Sequence, residues 1–180
     1  MKILKIIAIV LVALIAIPLI VALFVKKDFN IEREIVINKP KKEVFDYIRF
    51  VKNQDNYSKW NMTDPNMKKT YTGIDGTPGF VYSWESDNDN VGVGEQEIKS
   101  IKEGEIIEME LRFKVPFENT NYAYMSTTEV SPMQTKVVWG FKGTMPYPMN
   151  LMGLLFNMDK QIGSDLDTGL KNLKTVLEKQ

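Results

Sequence analysis

The sequence predicts an α+β domain, an antiparallel meander facing one long amphipathic helix, with an apolar helix ahead of it. Three observations predict it. From Met149 to Lys179 an apolar stripe recurs at helical spacing: with Ile162 as origin and about 100° per residue, Leu151, Leu155, Met158, Leu166, Gly169, Leu173 and Val176 lie within about 40° of it. Leu170 and Leu177 widen the stripe, which holds for about eight turns. From Lys68 to Met145, strand-like segments follow one another at short intervals with no helical pattern between them. Ile6 to Val25 carries no charge.

That uncharged stretch rises about 1.5 Å per residue as a helix and so spans roughly 30 Å, the thickness of a hydrocarbon core. Lys2 and Lys5 precede it and Lys26 and Lys27 follow. A cleaved signal peptide is the competing expectation. It is disfavoured by an apolar run longer than the usual 7 to 15 or so residues and by the lack of a small-x-small site before Lys26. Pro18 is tolerated in a membrane helix. The expected organisation is therefore a single-pass anchor over 1–27, a short linker over 28–30 that keeps the domain near the bilayer, and one domain over 31–180. Flank charge favours a cytoplasmic domain, with Lys26, Lys27, Arg33, Lys39, Lys41 and Lys42 after the span. Long C-terminal domains nevertheless translocate regardless of flank charge, and a short lysine-bearing N-terminus stays inside. The balance leans towards a domain outside the cytoplasm.

Strand character begins at Glu32 to Asn38, where Ile31, Arg33, Ile35 and Ile37 share one parity. Pro40 suits the start of a helix that Asn38 would cap, with Val44, Phe45, Ile48 and Val51 as its apolar side. A second short helix or turn covers Asn53 to Trp60, and Asp64-Pro65 breaks it. Turn residues at Asp75-Gly76-Thr77-Pro78-Gly79 and Ser86 to Asn90 bracket a strand over Phe80 to Glu85. Gln96, Ile98 and Ser100 share a parity on the next. The clearest strand is Ile106 to Val115, where Ile107, Met109, Leu111, Phe113 and Val115 alternate with Glu108, Glu110, Arg112 and Lys114. Tyr122 to Val130 and Thr135 to Met145 form a last hairpin, and Pro146 and Pro148 end it before the long helix.

Composition narrows function by exclusion. The 180 residues are 44% hydrophobic, enough for one core beyond the anchor. Lys plus Arg and Asp plus Glu both number 23, and no basic stripe is interleaved with aromatics, which argues against nucleic acid. With no cysteine there are no disulfides, thiolate metal sites or cysteine nucleophiles. With no histidine the commonest general base, the usual zinc ligand and any Ser-His triad are absent.

The chain resembles the SRPBCC superfamily, which includes START-type lipid-binding, birch-pollen-allergen-like and polyketide cyclase-like proteins. The similar stretches are Ile37-Asn-Lys-Pro-Lys-Lys-Glu-Val-Phe45, Asp64-Pro-Asn-Met-Lys68, Tyr71-Thr-Gly-Ile-Asp-Gly-Thr-Pro-Gly79 and Tyr82-Ser-Trp84. Further on they are Gly92-Val-Gly-Glu-Gln-Glu-Ile98, Thr135-Lys-Val-Val-Trp139 and Gly169-Leu-Lys-Asn-Leu-Lys174. Their order and spacing carry the resemblance over roughly Ile31 to Lys179. It implies a helix-grip fold, a curved seven-stranded antiparallel sheet wrapped around the C-terminal helix with two short helices after the first strand. It also implies an apolar cavity for a lipid, polyketide or other hydrophobic small molecule. No catalytic residue, cofactor or metal is carried over.

In such a fold the inward parities would place Tyr82, Trp84, Gln96, Ile98, Met109, Leu111, Phe113, Tyr122, Tyr124, Trp139 and Phe141 opposite Leu155, Met158, Asp159, Ile162 and Leu166. Core packing alone explains most of these side chains. The polar ones discriminate between functions. Asp159 falls beside the stripe, and a lone buried carboxylate must find a partner, a proton or water. Three functions remain open: a membrane-anchored binder of a hydrophobic small molecule, a cyclase or dehydratase, or a structural or signalling module with a filled core. The enzyme would use Asp159 at a pKa raised by burial, with Tyr82, Tyr122 or Tyr124 as donors. Asp165 and Asp167 are too far round the helix from Asp159 to form a metal site with it. Gly163 and Gly169 each cost about 1 kcal/mol in a helix interior. For Gly169, in mid-stripe, the expected reason is close approach of helix to sheet, with a hinge for ligand entry as the alternative.

Overall fold

A computed structural model describes residues 2–115 and 118–179, with the side chain of Leu155 outside the described set. The chain divides into two compact units, Met1–Phe29 with Thr144–Met158, and Asn30–Gly143 with Asp159–Gln180.

The second unit carries the sheet except for Asp28, Phe29 and Thr144 at the ends of its first and last strands. Its strands are β1 (Asp28–Ile37), β2 (Lys68–Thr72), β3 (Val81–Glu85), β4 (Val93–Lys102), β5 (Ile106–Val115), β6 (Asn119–Ser131) and β7 (Gln134–Thr144). They form one seven-stranded antiparallel sheet in the order β1-β7-β6-β5-β4-β3-β2. Strands β2 to β7 follow as hairpins, so each register is set by its turn. The first strand instead lies beside the last, at an edge. The connection between β1 and β2 holds two helices, α2 (Lys41–Ile48) and α3 (Lys59–Thr63), with a 3-10 turn at Val51–Asn56 between them. Helix α2 starts behind Pro40 with no side-chain cap. Asn38, expected to cap it, is used elsewhere: its backbone N–H donates to Glu178 Oε1 at 2.7 Å and its Oδ1 accepts from Gln134 Nε2 at 2.9 Å.

The expected helix of eight turns is broken. Met149–Leu151 is a 3-10 turn and Met152–Leu155 a single α-turn, α4. Phe156 is extended (φ −116°, ψ 127°) and ends α4. The long helix, α5, runs Met158–Glu178. Asn157 occupies the position before its first residue, where Asn is favoured because its side chain competes with helical backbone bonds. The apolar stripe continued across the break because 149–156 is apolar on its own account.

One face of α5 packs on the sheet. Gly163, Leu166, Gly169, Leu170, Leu173 and Leu177 are buried. Burial of Leu170 and Leu177 rolls the covered face away from Ile162, the expected centre of the stripe. At Gly169 a Cβ would stand 2.7 Å from Trp139 Cζ3, so the expected close approach is present. Asn172 Nδ2 donates to Tyr57 O at 3.2 Å and Lys174 Nζ to Val36 O at 2.7 Å, fixing the helix's rotation.

In the first unit, α1 (Lys2–Phe24) is long and apolar enough to cross a membrane. Asn150, 1% exposed, closes its C-terminal end: Nδ2 donates to Ala22 O at 2.7 Å and Val25 O at 2.9 Å. Met145 N–H donates to Lys27 O at 2.8 Å, and Thr144 Oγ1 to Asp28 Oδ1 at 2.7 Å.

Candidate functional site

Cross-strand register assigns each side chain to a face, since directly opposed residues point the same way. Tyr82 pairs with Gln96, Gln96 with Leu111, Ile98 with Met109, Met109 with Ala123, Ala123 with Phe141 and Met125 with Trp139. These define the inner face. Tyr82, Gln96, Ile98, Met109 and Trp139 are buried in it.

Burial along this face is graded. At one end Ile37, Ile107, Met125 and Val137, with Phe45, Ile48, Tyr57, Leu170, Leu173 and Leu177, are all at most 2% exposed. At the other, Trp84, Leu111, Phe113 and Phe141 on the strands and Ile162 on the helix are only half-buried. The chain therefore seals half of its inner face and leaves an aromatic remainder partly uncovered. Trp84 meets Phe113 edge-on at 5.9 Å, and its Nε1–H donates to Val91 O at 3.2 Å, so the indole is held at both ends. Trp60 on α3 meets Trp139 edge-on at 6.2 Å. Leu166 is buried at 1% and Met158 half-buried, while the side chain of Leu155 lies outside the described residues.

Two tyrosines are on the other face. Tyr122 opposes Glu110 and Tyr124 opposes Glu108, so both point outward. Tyr122 is 43% exposed; the Tyr124 hydroxyl donates to Glu32, and burial, then that bond, raises its pKa above the ordinary phenol range. The inward residues of β6 are Asn121, Ala123, Met125 and Thr127. Apart from Met125 these inward side chains are small or polar, and the aromatics face out because Tyr124 lies over Gly140, where a Cβ would come within 2.2 Å of its ring.

Asp159 has neither the environment nor the pKa expected of an acid catalyst. Its side chain is 69% exposed and pairs with Arg33, whose Nη1 and Nη2 reach its two oxygens at 3.1 Å each. The guanidinium lowers the Asp159 pKa rather than raising it. Arg33 Nη2 also donates to Asp159 O at 2.9 Å, and Nε lies 3.3 Å from Asp167 Oδ2. This cation comes from the inward parity of the edge strand β1, which the alternation of Ile31, Arg33 and Ile35 had already placed there. Asp165 pairs with Lys59 instead.

A polar cluster that the sequence did not single out surrounds the Tyr82 hydroxyl. It donates to Asp55 Oδ1 at 2.8 Å and accepts from Asn61 Nδ2 at 3.1 Å; Asn61 also donates to Asp55 at 2.8 Å, and Lys69 Nζ lies 3.0 Å from Asp55 Oδ2. Burial and the bond to Asp55 push the Tyr82 phenol well above its ordinary pKa, so it stays protonated. Asp55, Asn61 and Lys69 come from three elements, and no sequence spacing links them. Gln96 Nε2 donates to the Met109 sulfur at 2.9 Å. The Tyr82 hydroxyl and Gln96 are thus engaged with neighbouring side chains, while the half-buried Trp84, Leu111, Phe113, Phe141 and Ile162 are apolar.

Comparison with known proteins agrees with this architecture. The profile of the family described as polyketide cyclase / dehydrase and lipid transport matches residues 28–178. No curated protein matches the sequence significantly. Among solved structures, Ara h 8.0201 superposes with a TM-score of 0.57 at 13% identity, covering 85% of this chain and 99% of that one. A Mesorhizobium loti protein gives 0.59 at 13% identity, over 84% and 98% of the two chains. A Thermobifida fusca protein gives 0.57 at 14%, over 83% and 93%. At these identities the likeness is one of fold.

Proposed function

The chain belongs to the polyketide cyclase / dehydrase and lipid transport family of the SRPBCC superfamily, and on that premise we propose that it is a membrane-anchored domain that binds one hydrophobic or amphipathic small molecule, lipid or polyketide-like, between its sheet and α5. The observation that carries this reading is the unsealed half of the inner face, with Trp84, Leu111, Phe113, Phe141 and Ile162 only half-buried. Binding sites for small apolar molecules are lined this way, by aromatic and aliphatic side chains with few polar groups. Covering them would remove apolar surface from water at about 25 cal/mol per Å². Binding rather than catalysis is supported because Asp159 is ionised and paired, and the Tyr82 hydroxyl already has both its partners.

The anchor is α1. The connection from α1 to β1 is Val25–Lys27, a reach of about 10 Å when extended. We place the domain outside the cytoplasm on the lysine-bearing N-terminus.

Native mass spectrometry of the full chain released from detergent micelles, combined with titration by a brominated fatty acid, tests the binding function. Trp60, Trp84 and Trp139 supply the quenchable signal. A retained apolar adduct and saturable quenching are expected. A bare chain mass in every preparation together with linear, unsaturable quenching would replace this function with that of a filled-core module.

A further inference from the structure

From Thr144 to Met158 the chain has no Asp, Glu, Lys or Arg. Within that stretch Tyr147 is 42% exposed, Met149 47%, Met152 36%, Leu154 63% and Phe156 52%. A run of exposed apolar side chains of this size, free of charge, signals a contact surface rather than ordinary surface variation. Unlike the apolar residues scattered over the sheet, this run has a fixed neighbour. Asn150, at its centre, donates both of its amide hydrogen bonds to the carbonyls of Ala22 and Val25. Ala22 belongs to the last turn of α1, whose final carbonyls have no partner within the helix, and Val25 follows α1 directly.

We propose that residues Tyr147–Phe156 form a second, shallow membrane contact, lying in the headgroup and upper acyl region of the same bilayer leaflet in which α1 ends. The proposal rests on α1 being a membrane span. A helix of 23 residues is roughly 35 Å long and the hydrocarbon core roughly 30 Å thick, so the last turn of a spanning α1 lies at the boundary. Asn150 holds the segment at that depth. Side chains that leave it apolar and uncovered there meet lipid, and the Tyr147 ring suits the interface, where aromatic residues with a polar tip concentrate. Lys26 and Lys27 follow α1 directly, as interfacial anchors do at the end of a span. The amide also has a local purpose: within the bilayer boundary every backbone carbonyl needs a partner, and Asn150 supplies two that water would otherwise have to provide.

The chain has no cysteine, so single-cysteine variants carry a fluorophore at one chosen place. The full chain is reconstituted in vesicles of phosphatidylcholine with a minor fraction of phosphatidylglycerol, doped with nitroxide lipids at either shallow or deep positions. Leu154→Cys and Phe156→Cys report the segment, Leu14→Cys the middle of α1, and Ile74→Cys, 75% exposed on the other unit, is the comparison site. The expected result is deep quenching at Leu14, and shallow quenching at Leu154 and Phe156 several-fold above that at Ile74. If Leu14 is quenched but Leu154 and Phe156 behave like Ile74, the anchor stands and the second contact is refuted. If Leu14 is unquenched, the span itself fails and the second contact fails with it. Unquenched but blue-shifted labels at Leu154 and Phe156 that cross-link between chains would assign the patch to a second copy of this protein and overturn the lipid contact.

Discussion

The Trp139 indole lies over Gly169 so closely that a Cβ added to the glycine would stand 2.7 Å from ring atom Cζ3 and 3.4 Å from Tyr57 O. The ring has little room to retreat, because Tyr57 meets it edge-on at 5.6 Å and Trp60 at 6.2 Å. Replacing a helix-interior glycine by alanine normally gains about 1 kcal/mol. At this position overpacking costs about 1–3 kcal/mol and reverses the sign. Gly169→Ala is therefore expected to lower the denaturant midpoint of the full chain in detergent, with reduced near-UV signal from the tryptophans. An unchanged or raised midpoint would show that α5 does not approach the sheet this closely.

The same substitution two turns earlier should behave differently. A Cβ on Gly163 would overlap the Arg33 guanidinium, 1.9 Å from Nη2, but that group is the end of a flexible side chain. Arg33 can swing towards water at the loss of ion pairs with Asp159 and Asp167, one of them 69% exposed. Exposed pairs contribute little, no more than the helix-propensity gain of about 1 kcal/mol. Gly163→Ala is expected within about 1 kcal/mol of wild type by the same denaturation, and the Asp159 pKa, followed by carboxyl NMR, should rise as its cation leaves.

Those two glycines mark how far the sequence could be read. The order of elements, the inner parity of β3, β4, β5 and β7, and the reason for Gly169 were legible because each depends on periodicity or on one helix face. The faces of β6 were not. Tyr122 and Tyr124 alternate with Asn121 and Ala123, and hydrophobicity alone puts the aromatics inside; what turns them out is the opposing strand, where Gly140 leaves a place for a ring. Asp159 was legible as an exception to the stripe, but its partner lies 126 residues away, and so whether it was protonated or paired was not. The break at Phe156 was hidden because 149–156 is as apolar as the stripe of α5 that follows it. The cluster at Tyr82 joins residues whose proximity only the tertiary fold creates.

On the outer face, Arg112 Nε donates to Glu95 at 2.6 Å and Nη1 to Glu97 at 2.7 Å, with Glu110 as a third partner. The hydrogen bonds from Arg112 hold the pKa of both Glu95 and Glu97 below the ordinary value. Such carboxylates bind fewer protons folded than unfolded. Their contribution is complete above a pH of about 4.3 and is lost as pH falls through the lowered folded values. Arg112→Met leaves Glu95 and Glu97 beside Glu110 without that cation, which raises the pKa of Glu95 and Glu97. Wild type should lose stability on acidification from about pH 5 to pH 3, whereas the variant, weaker at neutral pH, should lose less or gain over its upper part. Parallel urea midpoints across that range would contradict the ladder.

Binding and stability should separate along the inner face. Met125 is fully buried in the sealed half, at 0% exposure, and takes the Tyr57 hydroxyl on its sulfur at 3.4 Å. Phe113 is half-buried in the open half, against Trp84. Truncating a fully buried Met costs about 2–5 kcal/mol, and half the burial of a Phe corresponds to about 1–2 kcal/mol. Met125→Ala should therefore lower the denaturation midpoint far more than Phe113→Ala. For the brominated fatty acid the order should invert: Phe113→Ala removes apolar area that the ligand would cover and weakens binding by about tenfold, equivalent to about 1.4 kcal/mol, while Met125→Ala binds as wild type while it remains folded. Equal affinity in both variants, measured at temperatures where each is native, would mean that the unsealed half of the face is not where the ligand is held.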